Sequence, residues 1–224
     1  MSNLKTTARL TGGAYLGLAV FGMISFLVVR SQLFVDGDPS ATLANLTENP
    51  TLARIGIIAE LGTVVFQCLV ALMFFKLFRS VSSWAAGALA AFGFVNAIMI
   101  LISGAFLATA LDVALDPALA ADQAATTQLM YEISNNAWGV GAVFFGLWLV
   151  PMGYLIIRSG WMPRLLGWLL IAGGAGYLAS AVAVYLNAPS VVAEVLTAIP
   201  SAGEFWILGY LLIVGVRREA LTSS

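Results

Sequence analysis

The chain has 224 residues, 61% of them hydrophobic and 9% charged, with a net charge of −1. Soluble domains carry roughly 25% charged residues, so this composition excludes a protein that folds alone in water, and so little basic charge gives no support to nucleic-acid binding. There is no histidine and a single cysteine, Cys68, which removes histidine ligation of haem or zinc, histidine-based acid–base catalysis and an intrachain disulfide.

Six apolar runs are long enough to cross a bilayer, which takes about 20 residues; they cover 10–29, 55–78, 84–111, 131–157, 165–186 and 199–216. The expected fold is therefore all-α: one integral domain over 1–224, a polytopic bundle of six transmembrane helices with short interfacial helices in the outer loops. Basic residues set its orientation. Lys5, Arg9, Lys76, Arg79, Arg158, Arg164, Arg217 and Arg218, eight of the ten, fall on one side if both ends of the chain are cytoplasmic, as retention of Lys and Arg on that side requires. Lys5 and Arg9 precede a first run that ends at Val29-Arg30-Ser31 without a small-x-small cleavage pattern, so it reads as a retained helix rather than a signal peptide.

Along the chain, the first span carries Gly13 and Gly17 at the spacing that lets helices approach closely. In the following outer loop, Asp38-Pro39 is a helix start, with a capping carboxylate before a proline at the first helical position. It predicts a short helix from Pro39 to about Glu48. Asn49-Pro50 repeats the signal and launches the second span. That span holds Glu60, with Thr63 and Gln67 continuing one face; lipid cannot satisfy these groups, so the face is expected to look inward. No base occupies the helical neighbour positions of Glu60, and the nearest outer-edge charge partners are Arg30 and Arg54.

The third span holds Asn96, which reads as an interhelical hydrogen-bond clamp or a ligand contact. Asp116-Pro117 is another cap-plus-proline start. The fourth helix extends outward through Asn135, Asn136 and Glu132 and contains Pro151 between Gly146 and Gly153, a site for a kink. Gly173, Gly174 and Gly176 in the fifth span form a second close-packing face. The last span carries Glu204, again without a local base. The segments before the two glutamate-bearing spans echo each other, Pro39-Ser40, Leu46-Thr47 and Pro50 against Pro189-Ser190, Leu196-Thr197 and Pro200. Duplication and shared helix-start chemistry both account for the echo.

The run Gly153-Tyr154-Leu155-Ile156-Ile157-Arg158-Ser159-Gly160-Trp161-Met162-Pro163-Arg164-Leu165-Leu166-Gly167 resembles the hallmark of a bacterial membrane family known as domain of unknown function 4386. So do the stretch from Gly37-Asp38-Pro39-Ser40 through Arg54 to Glu60 and the pair Gly203-Glu204. The resemblance implies a six-span protein of the bacterial cytoplasmic (inner) membrane and carries no activity with it. Physically the hallmark is a cytoplasmic corner, anchored by Arg158 and Arg164 and turned by Gly160 and Pro163, with Trp161 suited to the headgroup level.

Function turns on the two intramembrane acids. An ionised carboxylate buried without compensation costs several kcal/mol. Glu60 and Glu204 are therefore protonated, or held by amides and hydroxyls around a hydrated cavity, or reached by Arg30 or Arg54 from the outer edge. The favoured expectation is a binding or accessory protein for a small-molecule or lipid ligand, with an outward-opening pocket lined by Glu60, Gln67, Asn96, Asn135, Asn136 and Glu204. The alternative is a small proton- or cation-coupled transporter using the same acids. An intramembrane enzyme has least to rest on, since no nucleophile–base pair, metal cluster or phosphate-cradling loop is visible, although a carboxylate pair alone can do acid–base work. No catalytic residue, metal ligand or cofactor is assigned. The lipid bilayer is the expected partner, and the glycine-rich helix faces allow self-association.

Overall fold

A computed structural model of the chain describes residues 2–217; Arg218 and the side chains of Ser2, Asn3, Ser190, Glu194, Ile199 and Pro200 lie outside the described residues. The described chain is helical, without a strand. Helix α1 runs Ser2–Met23, widens into a π-helical segment Ile24–Arg30, and ends in a turn Ser31–Leu33. It is followed by α2 Pro39–Glu48, α3 Pro50–Phe78, α4 Ser83–Leu115, a 3-10 turn Pro117–Leu119, α5 Gln123–Ser159, α6 Arg164–Tyr185 and α7 Ser190–Ile213. Six stretches are long and apolar enough to span a membrane, α2 being the short exception. At 1.5 Å per residue, helices of 29 to 37 residues reach roughly 44 to 56 Å, beyond the ~30 Å hydrocarbon core. The sequence-predicted runs 55–78 and 131–157 thus lie inside longer helices.

The helix starts follow their local chemistry. Asp38 accepts from the Ala41 amide at 2.9 Å, with Pro39 in the first turn of α2. Asp116 accepts from the Ala118 amide at 2.9 Å ahead of Pro117. Asn49 differs from expectation: its side-chain amide donates back to the Asn45 carbonyl at 3.1 Å, closing α2 rather than capping α3. The second echo segment lacks that stop. Where the first copy has Asn49, the second has Ile199, and α7 runs on as one helix from Ser190, with Pro189 as its cap. Helix α7 therefore starts nine residues before the apolar run predicted from 199 and ends at Ile213, where Gly215, at a φ of 79°, donates its amide to Tyr210 O and terminates the helix.

Helix α3 shows the membrane version of amphipathicity. Ile58, Leu61, Val65, Leu69 and Leu72 are exposed, while Glu60, Thr63, Gln67, Val70, Ala71 and Phe74 are buried. The polar stripe is inside and the apolar rim outside, as a hydrocarbon solvent demands.

The chain divides into two compact units. One, the Glu60 unit, comprises Gly17–Val65 and Ala97–Val140. Its apolar core joins Val29, Leu33, Leu46, Ala53, Leu107, Leu111 and Tyr131. Phe34 stacks on Tyr131 at 5.1 Å, and α2 is tied to the end of the first span by Asn45 Nδ2 donating to Leu33 O at 3.3 Å. The Glu204 unit comprises Met1–Leu16, Phe66–Asn96 and Gly141–Ser224. Here α5 and α6 touch backbone to backbone. A Cβ on Gly153 would sit 2.3 Å from Gly167 O, and one on Gly146 would sit 2.8 Å from Gly174 O. In the first span the close approach belongs to Gly12, against Leu211, whereas a Cβ on Gly13 meets nothing within 4 Å. Helix α5 continues through Pro151. The hallmark corner packs inward: Trp161 stacks on Phe78 at 5.6 Å, Phe78 stacks on Phe74 at 6.2 Å, and the Arg217 amide donates to Trp161 O at 2.9 Å.

Candidate functional site

Glu60 is held in its own unit by a side chain from the end of the first span. Arg30 Nη2 reaches Glu60 Oε1 at 2.7 Å, and the two side chains are 7% and 1% exposed, a fully internal ion pair. The π-helical segment makes this geometry. Ser25 and Arg30 are five residues apart, roughly 140° apart around an α-helix of 3.6 residues per turn. The wider i→i+5 repeat of a π-helix brings them to one side, and Ser25 Oγ donates to the same Glu60 oxygen at 3.1 Å. Trp138 Nε1 supplies a third donor at 3.2 Å.

The guanidinium is equally engaged. Its Nη2 lies 2.7 Å from Ser103 Oγ and 2.8 Å from Ser134 Oγ, and Nη1 donates to Asn135 Oδ1 at 2.7 Å. The Phe26 ring lies 5.3 Å from Arg30 Cζ and meets Trp138 edge-on. A buried ion pair survives desolvation only when further hydrogen bonds satisfy both ions; the first span, α4 and α5 supply them here. Two atoms stand apart: Arg30 Nε and Glu60 Oε2 are buried without a hydrogen-bond partner. Oε2 faces Gly104, where an added Cβ would lie 3.9 Å from it.

Glu204 is held differently. Within its unit, Tyr15 OH donates to Oε1 and Tyr177 OH donates to Oε2, each at 3.0 Å. Both partners are neutral phenols. The Tyr15 ring meets Phe74 at 6.1 Å and Trp148 at 5.8 Å, both edge-on.

The sequence-predicted residues thus separate. Glu60, Arg30 and Asn135 form one centre in the Glu60 unit, while Gln67, Asn96 and Glu204 belong to the Glu204 unit. Among the described residues, Ser25, Arg30 and Trp138 hydrogen-bond to Glu60, and Tyr15 and Tyr177 to Glu204. Asn136 and Arg54 are exposed. Asn96 is 2% exposed, yet neither of its amide atoms has a partner, so the expected clamp is not made. Gln67 donates to Gly93 O at 3.4 Å. Sequence reasoning missed Tyr15, Tyr177, Ser25, Ser103, Ser134 and the role of Trp138. The available signal was a hydroxyl or indole N–H at membrane depth, where each needs a partner.

Long apolar helices that bury Arg30, Glu60, Gln67 and Asn96 define an all-α, multi-pass membrane protein. The family model described as Domain of unknown function (DUF4386) matches residues 10–215, and the chain belongs to that family. No curated protein and no solved structure matches it.

Proposed function

We propose that this chain is a ligand-binding protein of the bacterial cytoplasmic membrane, with both ends cytoplasmic and the Arg30–Glu60 centre in the outer half. The clustering of basic residues at one set of helix ends supports the orientation. The observation that carries the function is the asymmetry of Glu60. One carboxylate oxygen takes three donors, whereas the other is buried, unpartnered and beside a glycine. A buried carboxylate oxygen accepts hydrogen bonds only, so its ligand carries a donor, an ammonium or hydroxyl head approaching past Gly104. A phosphatidylethanolamine head has such N–H groups; a phosphatidylcholine head has none.

The test is native mass spectrometry of the full chain taken from vesicles containing equal amounts of those two lipids. Selective retention of phosphatidylethanolamine, lost in Glu60→Gln, supports the reading. Equal retention of both lipids, or selectivity unchanged in Glu60→Gln, overturns it.

Glu204 favours a second reading, a proton- or cation-coupled transporter, because its hydrogen-bonding partners are both neutral and leave its charge uncompensated. Substrate flux in proteoliposomes that follows the proton or cation gradient and vanishes in Glu204→Gln would support it; flux indifferent to the gradient would not.

A further inference from the structure

The Glu204 unit contains polar side chains that neither glutamate uses. Gln67 is 0% exposed, Trp148 1% and Asn96 2%. Between them, Gln67 Oε1, Trp148 Nε1 and both Asn96 amide atoms have no hydrogen-bond partner. The Gln67 and Trp148 side chains both border Gly93. A Cβ there would lie 3.5 Å from Gln67 Nε2 and 3.5 Å from Trp148 Cε3, and Asn96 is three residues further along the same face of α4. Buried polar atoms in folded proteins nearly always find a partner, and those that do not call for an unassigned water, ion or ligand. Leucine, methionine or phenylalanine would fill the same space without that demand.

From this cluster we infer that Gln67, Asn96 and Trp148 form a binding site for a small, neutral molecule carrying both a hydrogen-bond donor and an acceptor. The chemistry follows from the atoms. Trp148 Nε1 and Asn96 Nδ2 donate, while Gln67 Oε1 and Asn96 Oδ1 accept. All four are uncharged, so they complement a neutral guest rather than an ion. Aromatic rings pack on Trp148: Phe74 meets it edge-on at 6.1 Å, and Tyr15, whose hydroxyl donates to Glu204, meets it edge-on at 5.8 Å. Water and a small amide or alcohol share this chemistry. The inference is independent of the Glu60 reading and rests on different residues in a different unit.

The test uses the full chain in lipid nanodiscs with 15N-labelled tryptophan, the Trp148 indole signal being assigned by its loss in Trp148→Phe. The probe is formamide, with ammonium and formate as charged controls of similar size. Bound water gives a cross-peak between the Trp148 indole N–H and the water resonance, while a solute site gives an indole shift with formamide alone. Either signal supports the site and names its guest, and either is lost in Asn96→Leu and in Gln67→Met, the second variant conserving volume should the first fail to fold. The inference is overturned if the Trp148 indole shows neither signal, if ammonium or formate shifts it as much as formamide does, or if its signal persists unchanged in both variants.

Discussion

Two glutamates lie inside this protein under opposite terms. Glu60 meets a guanidinium, two of whose other contacts are serines and a third an asparagine, so its charge is balanced and the balancing ion is itself bound. Among the described residues, Glu204 meets two phenols and no cation, one hydroxyl on each oxygen. The same residue type, in spans of similar composition, is thus stabilised by countercharge in one unit and by neutral hydrogen bonds in the other. The difference teaches that intramembrane carboxylates are to be read by their partners. A paired acid with a spare oxygen leaves an acceptor open, while an acid met by neutral donors leaves its own charge as the variable.

The largest test of that contrast removes the countercharge. In Arg30→Met a buried carboxylate loses its ion partner, and breaking such a pair costs about 3–5 kcal/mol. The double variant Arg30→Met with Glu60→Met restores much of the stability, because an apolar pair of similar volume carries no desolvation penalty. Equilibrium unfolding in mixed micelles reads both. If Arg30→Met unfolds no more easily than a variant lacking a single Glu204 phenol, the contrast between the two acids is wrong.

The next effect separates charge from shape at Glu60 itself. Glu60→Leu strands Arg30 and belongs with the 3–5 kcal/mol class, about as costly as Arg30→Met. Glu60→Gln keeps an oxygen for Ser25, Arg30 and Trp138 and loses only the charge-assisted part, about 1–3 kcal/mol. Thermal unfolding in detergent is expected to rank parent, Glu60→Gln and Glu60→Leu in descending order; equal melting of the two variants removes the ion pair from the account.

How much of this was legible in the sequence follows from the same physics. The spans, α2 and the Asp38 and Asp116 caps were readable because hydropathy and capping are local. Glu60 was readable as an inward acid, and Arg30 only as one of two edge candidates. The run of apolar residues ended at Val29, so Arg30 read as a flank, whereas the helical stretch continues to Leu33 and the π-helical widening turns Arg30 inward. Tyr15 and Tyr177 were illegible for another reason. They are 189 and 27 residues from Glu204, and a phenol counts as apolar until its hydroxyl is given a partner. The extent of α7 was not legible from the apolar run at 199–216, because the helix starts well before it, capped by Pro189.

Smaller effects belong to the Glu204 side. Tyr177→Phe deletes one hydroxyl and leaves the ring, which meets Phe145 at 6.1 Å. Side-chain hydrogen bonds between membrane helices average about 0.6 kcal/mol, and that is the expected loss, several times below Arg30→Met in the same unfolding assay. A loss matching that of Arg30→Met would mean that the phenols carry the charge of Glu204 after all.

The smallest stability change carries the sharpest information, at Gly104. A Cβ there lies 3.5 Å from Glu60 Cβ and 3.9 Å from the unpartnered Oε2, ordinary van der Waals contact, so Gly104→Ala forces nothing to move. Alanine also favours a helix interior over glycine by about 0.8–1 kcal/mol, so the variant is expected to unfold at or slightly above the parent's temperature. Its methyl group nevertheless stands beside the oxygen assigned to a donor-headed ligand, and selective retention of phosphatidylethanolamine in native mass spectrometry is expected to fall. Stability and binding then move in opposite directions, which a purely structural ion pair does not produce: if Glu60 only fastens helices together, Gly104→Ala raises the melting temperature and leaves lipid selectivity where it was.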